Sequence, residues 1–129
     1  MSVIKLMGAA KNDDAQTVAQ LIADGISPDS SNGIGQTSLH VAAIWGCVAT
    51  ARVLLDAGAS ASVHNQFGAT PLHFAAQNNR VEVAELLLER GADTQAMSGN
   101  GSRPFEMAEG ELRVLLGGPS NAMHRAVKS

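Results

Sequence analysis

Apolar and polar positions between residues 65 and 98 follow two helical patterns separated by a break. The first pattern is short, and its apolar stripe consists of Leu72, Ala75 and Ala76. Thr70 precedes it at an N-cap position, and Pro71 occupies the first helical position, where a missing N–H group costs nothing. These positions predict a short helix that begins after Thr70 and ends near the pair Asn78 and Asn79.

The second pattern is longer and begins at about Val81. Its apolar side comprises Val83, Ala84, Leu86, Leu87 and Leu88, and its polar side comprises Glu82, Glu85 and Glu89. An apolar stripe opposite a charged face is typical of a helix that packs one side against a core. Gly91 fits the left-handed position that ends many helices. Residues 65–98 are therefore predicted to form a helix, a tight turn, a second helix and an extended loop that leads into the following part of the chain.

The same pattern recurs along the chain with a period of thirty-three residues. The stretch at 37–43, TSLHVAA, returns at 70–76 as TPLHFAA, and the pair at 58–59 returns at 91–92. Weaker copies lie on either side, since 42–43 map backwards onto 9–10 and 68–72 map forwards onto 101–105. A fixed period of this length indicates one unit of supersecondary structure that stacks on copies of itself and buries apolar surface between them.

With these residues the chain resembles the ankyrin-repeat family. The resemblance is carried by residues 70–76, 86–88 and 91–93, which are echoed between residues 37 and 60. It implies an all-α fold, an ankyrin-repeat α-solenoid of antiparallel helix pairs with hairpin-like loops projecting nearly perpendicular to them. It also implies that the chain binds another protein through its loop tips and its concave helix face, as members of the family overwhelmingly do.

The repeats divide the chain into four units. We predict an ankyrin-repeat domain over 1–118, with approximate repeats at 1–33, 34–66, 67–99 and 100–118, and a short mobile tail over 119–129. The two central units are full copies. The last unit contracts and reaches Leu115 and Leu116 about five residues early, which suits an end unit that has only one neighbour.

Composition narrows the functional classes. The formal charge of −3 provides no concentrated basic face for nucleic acid. No apolar stretch approaches membrane-spanning length, and no signal peptide is evident. The single cysteine, Cys47, cannot form an intramolecular disulfide. We expect an intracellular, cytoplasmic protein, with the nucleus as the alternative, which is a monomer by itself and binds neither nucleic acid nor membrane.

The residues that could suggest catalysis are better explained as architecture. His40 and His73 occupy equivalent positions in two units, and a residue that repeats with the fold serves the fold first. The resemblance implies that each imidazole binds nearby backbone and a Thr hydroxyl, within a structural motif of Thr37, His40, Thr70, Pro71 and His73. Cys47 has no neighbour in sequence that would activate its thiol, and the acidic pair at 13–14 suits a solvated face. No catalytic, cofactor-binding or metal-binding residue is predicted, and no cofactor.

The positions that vary between units predict a binding surface. Two residues follow the double alanine of each first helix and are expected to face the concave side, and each loop tip carries a variable residue before its glycine. The predicted protein-binding residues are Ile34, Gln36, Ile44, Trp45, His64, Gln66, Phe67, Gln77 and Asn78. Of these, Ile34, Ile44, Trp45 and Phe67 are expected to be exposed apolar groups, which usually mark a contact site. The alternative is that Trp45 folds onto the neighbouring unit and only packs.

These observations favour a non-catalytic protein-interaction module whose partner is another protein. The alternative is an inhibitor or regulatory subunit that covers the active site of an enzyme. An enzymatic activity of the chain itself would require an acid–base or metal constellation on the concave side. The variable positions hold Gln, Asn, Ile, Trp and Phe instead.

Overall fold

Four helix pairs make up the part of the chain that the computed structural model describes, residues 2–118. The first helices of the pairs are α1 (Ser2–Lys11), α3 (Ser38–Trp45), α5 (Pro71–Gln77) and α7 (Pro104–Met107). The second helices are α2 (Ala15–Ala23), α4 (Val48–Asp56), α6 (Val81–Glu89) and α8 (Gly110–Leu115). Within residues 2–118 no strand occurs, and the loops contribute an isolated β-bridge between Ser31 and Thr37. The predicted all-α class is confirmed. The tail predicted at 119–129 lies outside the described residues.

The pairs stack in chain order and form two rows. In the inner row α1 packs against α3, α3 against α5 and α5 against α7, and in the outer row α2 packs against α4 and α4 against α6. Buried alanines allow the inner helices to approach closely, at Ala10, Ala42, Ala43, Ala75 and Ala76. Buried leucines at one register position of three successive units, Leu6, Leu39 and Leu72, supply apolar volume between them. The core is therefore continuous along the stack.

Threonine and histidine fix the start of the inner helix in both full units. At α3, the Thr37 hydroxyl accepts a hydrogen bond from the backbone N–H of His40, and the His40 Nδ1 accepts one from the Thr37 N–H at 3.1 Å. Thr70 and His73 repeat this arrangement at α5, with a distance of 3.0 Å between the Thr70 nitrogen and the His73 Nδ1. Each helix thus begins with a capping box in which an imidazole takes the part usually played by Glu or Gln.

The same imidazoles connect each full unit to the next one. The Nε2 of His40 lies 2.9 Å from the carbonyl oxygen of Ala69, and the Nε2 of His73 lies 2.8 Å from that of Ser102. Because a carbonyl oxygen can only accept, Nε2 carries the hydrogen and the ring is neutral with Nδ1 as acceptor. One side chain therefore ties together a loop, a helix and the neighbouring unit.

The last unit is shorter than the full units. Helix α7 has 4 residues where α5 has 7. Helix α6 begins at Val81, so the period would begin α8 at 114, whereas α8 begins at Gly110. Glu106 stands where the full units have histidine, and its Oε1 accepts from the Arg103 N–H at 3.1 Å. Among the described residues, Glu106 does not form the bond to a following unit that each histidine forms. Because α8 begins early, it packs on α7 and has little contact with α6.

Candidate protein-binding surface

The loop tips of neighbouring units rest directly on one another. The Gln66 N–H donates to the Ile34 carbonyl at 2.9 Å, and the Gly99 N–H donates to the Phe67 carbonyl at 2.7 Å. Gly68 permits the second contact, because its φ is +75° and a Cβ there would lie 2.8 Å from the Gly99 nitrogen. The tips thus form a row with defined spacing.

Asn65 organises the central loop. Its Oδ1 accepts from the backbone N–H groups of Phe67 at 2.9 Å and Ala69 at 3.1 Å, and its Nδ2 donates to the Gln36 Oε1 at 3.0 Å. Asn65 is buried, so the amide of Gln36 is partly engaged inside the protein. Asn65 was not singled out from the sequence. The signal that could have found it is Asn32, one period earlier, which makes the same turn through its own Oδ1.

Five of the predicted binding residues lie on these loops, and we call them the loop-tip patch: Ile34, Gln36, His64, Gln66 and Phe67. Ile34 is 41% exposed and Phe67 is 59% exposed. His64 and Gln66 are also exposed, whereas Gln36 is half-buried. The patch therefore has two apolar side chains on neighbouring tips, together with three polar side chains.

The other four predicted binding residues lie where inner helices end, and we call them the helix-end patch: Ile44, Trp45, Gln77 and Asn78. Trp45 is 50% exposed, so the indole is not folded away onto the neighbouring unit. The Nζ of Lys11, at the end of α1, lies 5.1 Å from the centroid of the Trp45 ring. This cation–π contact orients the indole while leaving much of its surface open. Lys11 ends α1 after the double alanine of the first unit, at one of the positions expected to face the concave side.

Two members of the helix-end patch are less available than predicted. Ile44 was expected to be an exposed apolar group, but it is half-buried. The Arg80 side chain reaches the same helix end from the next unit, and its Nε donates to the Ile44 carbonyl at 3.0 Å. Asn78 is exposed, but its Nδ2 donates to the Phe74 carbonyl at 2.9 Å and helps to end α5. Trp45 and Gln77 are the members with freely exposed side chains.

The two patches lie at opposite ends of the inner helices. Ile34 and Gln36 of the loop-tip patch lie just before the first residue of α3, and Trp45 is the last residue of α3. A helix of 8 residues is about 12 Å long, so the patches do not touch and a partner must span the inner row to reach both. No contact joins Trp45 to Phe67 among those seen in residues 2–118.

Asp13 and Asp14 have structural roles that the sequence did not reveal. The Asp13 Oδ1 accepts from the Thr50 hydroxyl at 2.8 Å and from the Thr50 N–H at 3.2 Å, which connects the first unit to the start of α4. Asp14 caps α2 by accepting from the N–H of Thr17 at 3.2 Å. Hydrogen bonds from Thr17 lower the pKa of Asp14. The pair is exposed as expected, but each carboxylate also satisfies helix N-terminal N–H groups.

Two groups considered for catalysis, Cys47 and His40, are buried and form structural contacts. Burial raises the pKa of the Cys47 thiol, and the nearby Asp13 carboxylate raises it further. Burial lowers the pKa of His40, and both ring nitrogens are already engaged. Within residues 2–118, no three His, Cys, Asp or Glu side chains cluster closely enough to hold a metal ion. In the same range, no helix has the length and apolar character needed to cross a membrane.

Stacked helix pairs, joined through their loop tips and through repeated histidines, define a solenoid repeat protein. A family model described as ankyrin repeats (3 copies) matches residues 6–98, and the chain belongs to the ankyrin-repeat family. The predicted family and solenoid fold are confirmed. Comparison with curated proteins found no match. Ankyrin repeats are generally protein–protein interaction modules, and the family is typically non-catalytic.

Proposed function

We propose that this chain is a non-catalytic interaction module that binds a partner protein through its loop tips and the concave face of its inner helices. The observation that carries the proposal is the exposure of Trp45 and Phe67, which are 50% and 59% exposed. Large apolar side chains in such positions cost solubility and are concentrated in binding sites. Trp in particular is enriched among residues that dominate the energy of an interface.

Rigid presentation is the proposed mechanism. The backbone bonds between tips and the histidine bonds between units hold both patches in place before a partner arrives. Binding then loses little conformational entropy on this side of the interface, so more of the contact energy appears as affinity. Exposed amides beside the apolar groups, at Gln66 and Gln77, suit the polar rim of such an interface.

The test is affinity capture followed by a binding titration with single variants of the full chain. Trp45→Ala and Phe67→Ala should each weaken the captured partner's binding by about 2 kcal/mol, because both are proposed to be buried by the partner. The thermal midpoint should stay nearly unchanged, because neither side chain is buried in the free chain. Ile4→Ala is a matched control, since Ile4 is 72% exposed but lies on α1 outside both patches.

Unchanged affinity in both variants would remove these residues from the site. An equal loss with Ile4→Ala would point to a general effect of removing surface apolar groups. The narrower alternative, an inhibitor or regulatory subunit of an enzyme, adds one requirement. The captured partner must then be an enzyme whose turnover falls when the chain is added and recovers with Trp45→Ala.

A further inference from the structure

The row of loop tips has an open end at its last tip, residues 98–101. At each of the two junctions a backbone N–H donates to a carbonyl of the preceding tip, from Gln66 to Ile34 at 2.9 Å and from Gly99 to Phe67 at 2.7 Å. One further period leads from Phe67 to Asn100. The Asn100 carbonyl is exposed and has no hydrogen-bond partner among the described residues. An unpaired backbone group at such an edge is a template for pairing with another chain.

An apolar pocket adjoins this open end. Its volume is about 480 Å³, and its predominantly apolar lining includes Phe67, Asn100 and Met107. Met97 is 53% exposed. Its side chain lies beside the last tip, since a Cβ at Gly101 would be 3.8 Å from the Met97 Cε. The last tip therefore combines a free backbone acceptor with space and apolar surface for a large apolar side chain.

A cation without an acidic partner stands on the same loop. Arg103 occupies the position at which the full units have the buried residues Thr37 and Thr70. Its Nε is buried and forms no hydrogen bond with another described residue. Among the described residues no carboxylate lies within ion-pair distance of Arg103, and Glu106 uses its Oε1 for the Arg103 backbone N–H. The guanidinium therefore favours a carboxylate that another chain supplies.

We propose that the last tip receives an extended segment of the partner protein as a further member of the row. A backbone N–H of that segment donates to the Asn100 carbonyl, a large apolar side chain next to it enters the pocket beside Phe67, and a carboxylate pairs with Arg103. The backbone bond sets the register and the two side chains give selectivity, as when a strand adds to an open sheet edge. This inference rests on the proposed function and adds the chemistry of the partner, which is an apolar residue close to an acidic one.

A second copy of this chain does not fit the edge. The N–H that would continue the row from the other end belongs to Gly33, one period before Gln66. Helices α1 and α2 pack against α3 and α4. They therefore occupy the side of the stack on which the last unit of another copy would have to lie. An extended segment that brings no helix pair avoids this clash.

A random dodecapeptide library displayed on phage and selected against the immobilised full chain supplies the probe. We expect the enriched peptides to share a large apolar residue close to Asp or Glu. Arg103→Glu should weaken the binding of such a peptide by about tenfold, because it places two negative charges together. Replacing the acidic residue of the peptide with Lys should restore binding to Arg103→Glu. Arg52→Glu is the matched control, since Arg52 is an exposed cation of α4, and it should leave the affinity unchanged.

Carbonyl NMR tests the backbone bond. The carbonyl carbon signal of Asn100 should move downfield when the peptide binds, because a donor then polarises its C=O group. The Ile34 signal is the control and should stay in place, since its oxygen already accepts from Gln66. Methylation of the single peptide nitrogen that meets Asn100 should remove this shift and weaken binding by about tenfold, because the donor is lost.

Several results would overturn the inference: no enrichment of apolar–acidic peptides, equal losses in Arg103→Glu and Arg52→Glu, no rescue by the Lys peptide, or an Asn100 signal that does not move. If these occur while Trp45→Ala and Phe67→Ala still weaken the captured partner, the inference fails and the proposed function stands. If the peptide results are as expected but the partner is indifferent to both variants, the last tip binds segments of this chemistry and the proposed function is the part that fails.

Discussion

The imidazole of His40 joins two units of the stack through opposite sides of one ring. Its Nδ1 accepts from the Thr37 N–H at 3.1 Å in its own unit, and its Nε2 donates to the Ala69 carbonyl at 2.9 Å in the next. Together the two bonds define the neutral ring with its hydrogen on Nε2, because a protonated Nδ1 could not accept from Thr37. Removal of the ring would therefore break both bonds, whereas protonation of the ring would break the bond to Thr37 within its own unit.

Removing the equivalent ring of His73 should destabilise the fold, because it leaves two polar backbone groups without their partners. In His73→Ala, the Thr70 N–H loses its acceptor and the Ser102 carbonyl loses its donor. An unsatisfied buried group of this kind costs about 1–3 kcal/mol, and we expect a loss of that order in a urea melt. His64→Ala, at an exposed histidine, is the control and should leave the urea midpoint unchanged. If His73→Ala instead abolishes partner binding and leaves the melt unchanged, the histidine belongs to the binding site.

Stability should fall when the pH drops below the ordinary pKa of histidine. Burial lowers the pKa of His40 in the folded state, so between the unfolded value of about 6.5 and the folded value the unfolded chain binds more protons. The contribution of His40 is thus fully present above about pH 6.5 and is lost as the pH falls towards the folded pKa. Urea melts at several pH values between 7.5 and 5.0 should show the decline. His40→Gln should have a shallower pH dependence, and an unchanged slope would mean that other groups cause it.

Two glycines allow a test of the contact between the loop tip that holds Phe67 and the next loop tip, which holds Gly99. Gly68 and Gly58 both have positive φ, +75° and +99°, but a Cβ would meet the Gly99 nitrogen at 2.8 Å at the first and nothing within 4 Å at the second. Both substitutions to Ala incur backbone strain, of order 1–3 kcal/mol. Gly68→Ala should cost clearly more than Gly58→Ala in a urea melt, because it also separates the tips. Equal losses would show that the bond from Gly99 to Phe67 contributes little.

Trp45 provides an optical test of the helix-end patch. An indole that is 50% exposed should emit at long wavelength and be quenched readily by iodide. Since the Lys11 ammonium lies 5.1 Å from the ring centroid, it should attract the anion and increase quenching. Lys11→Gln should therefore reduce quenching by iodide while leaving quenching by neutral acrylamide almost unchanged. Blue-shifted emission that resists both quenchers would place Trp45 inside the stack.

The local pattern predicted the helices well because it repeats. The N-caps Thr37 and Thr70 and the helix starts near Val81 follow from side-chain chemistry that acts within a few residues. The period then placed equivalent residues in neighbouring units, which is why the exposure of Phe67 and Trp45 could be anticipated.

Contacts between units were harder to predict because they depend on side-chain reach. Arg80 crosses to the end of α3 and partly covers the region of Ile44, and Asp13 extends to Thr50, although nothing in the spacing of these residues indicates either contact. The position of α8 depends on how far a start four residues early shifts the helix, and packing decides this. The early arrival of Leu115 and Leu116 indicated the contraction but not that α8 would pack mainly on α7.

The hydrogen bond from each histidine to the next unit determines where a further unit can be inserted into the stack. A duplicated block of thirty-three residues inserted between the two full units would bring its own threonine, histidine and receiving carbonyl, so that both new junctions would match the old ones. A block added behind Glu106 would meet a carboxylate, which cannot donate to the incoming carbonyl. Gene duplication should therefore lengthen this architecture from the middle, and the variable residues of each inserted block would then be free to diverge.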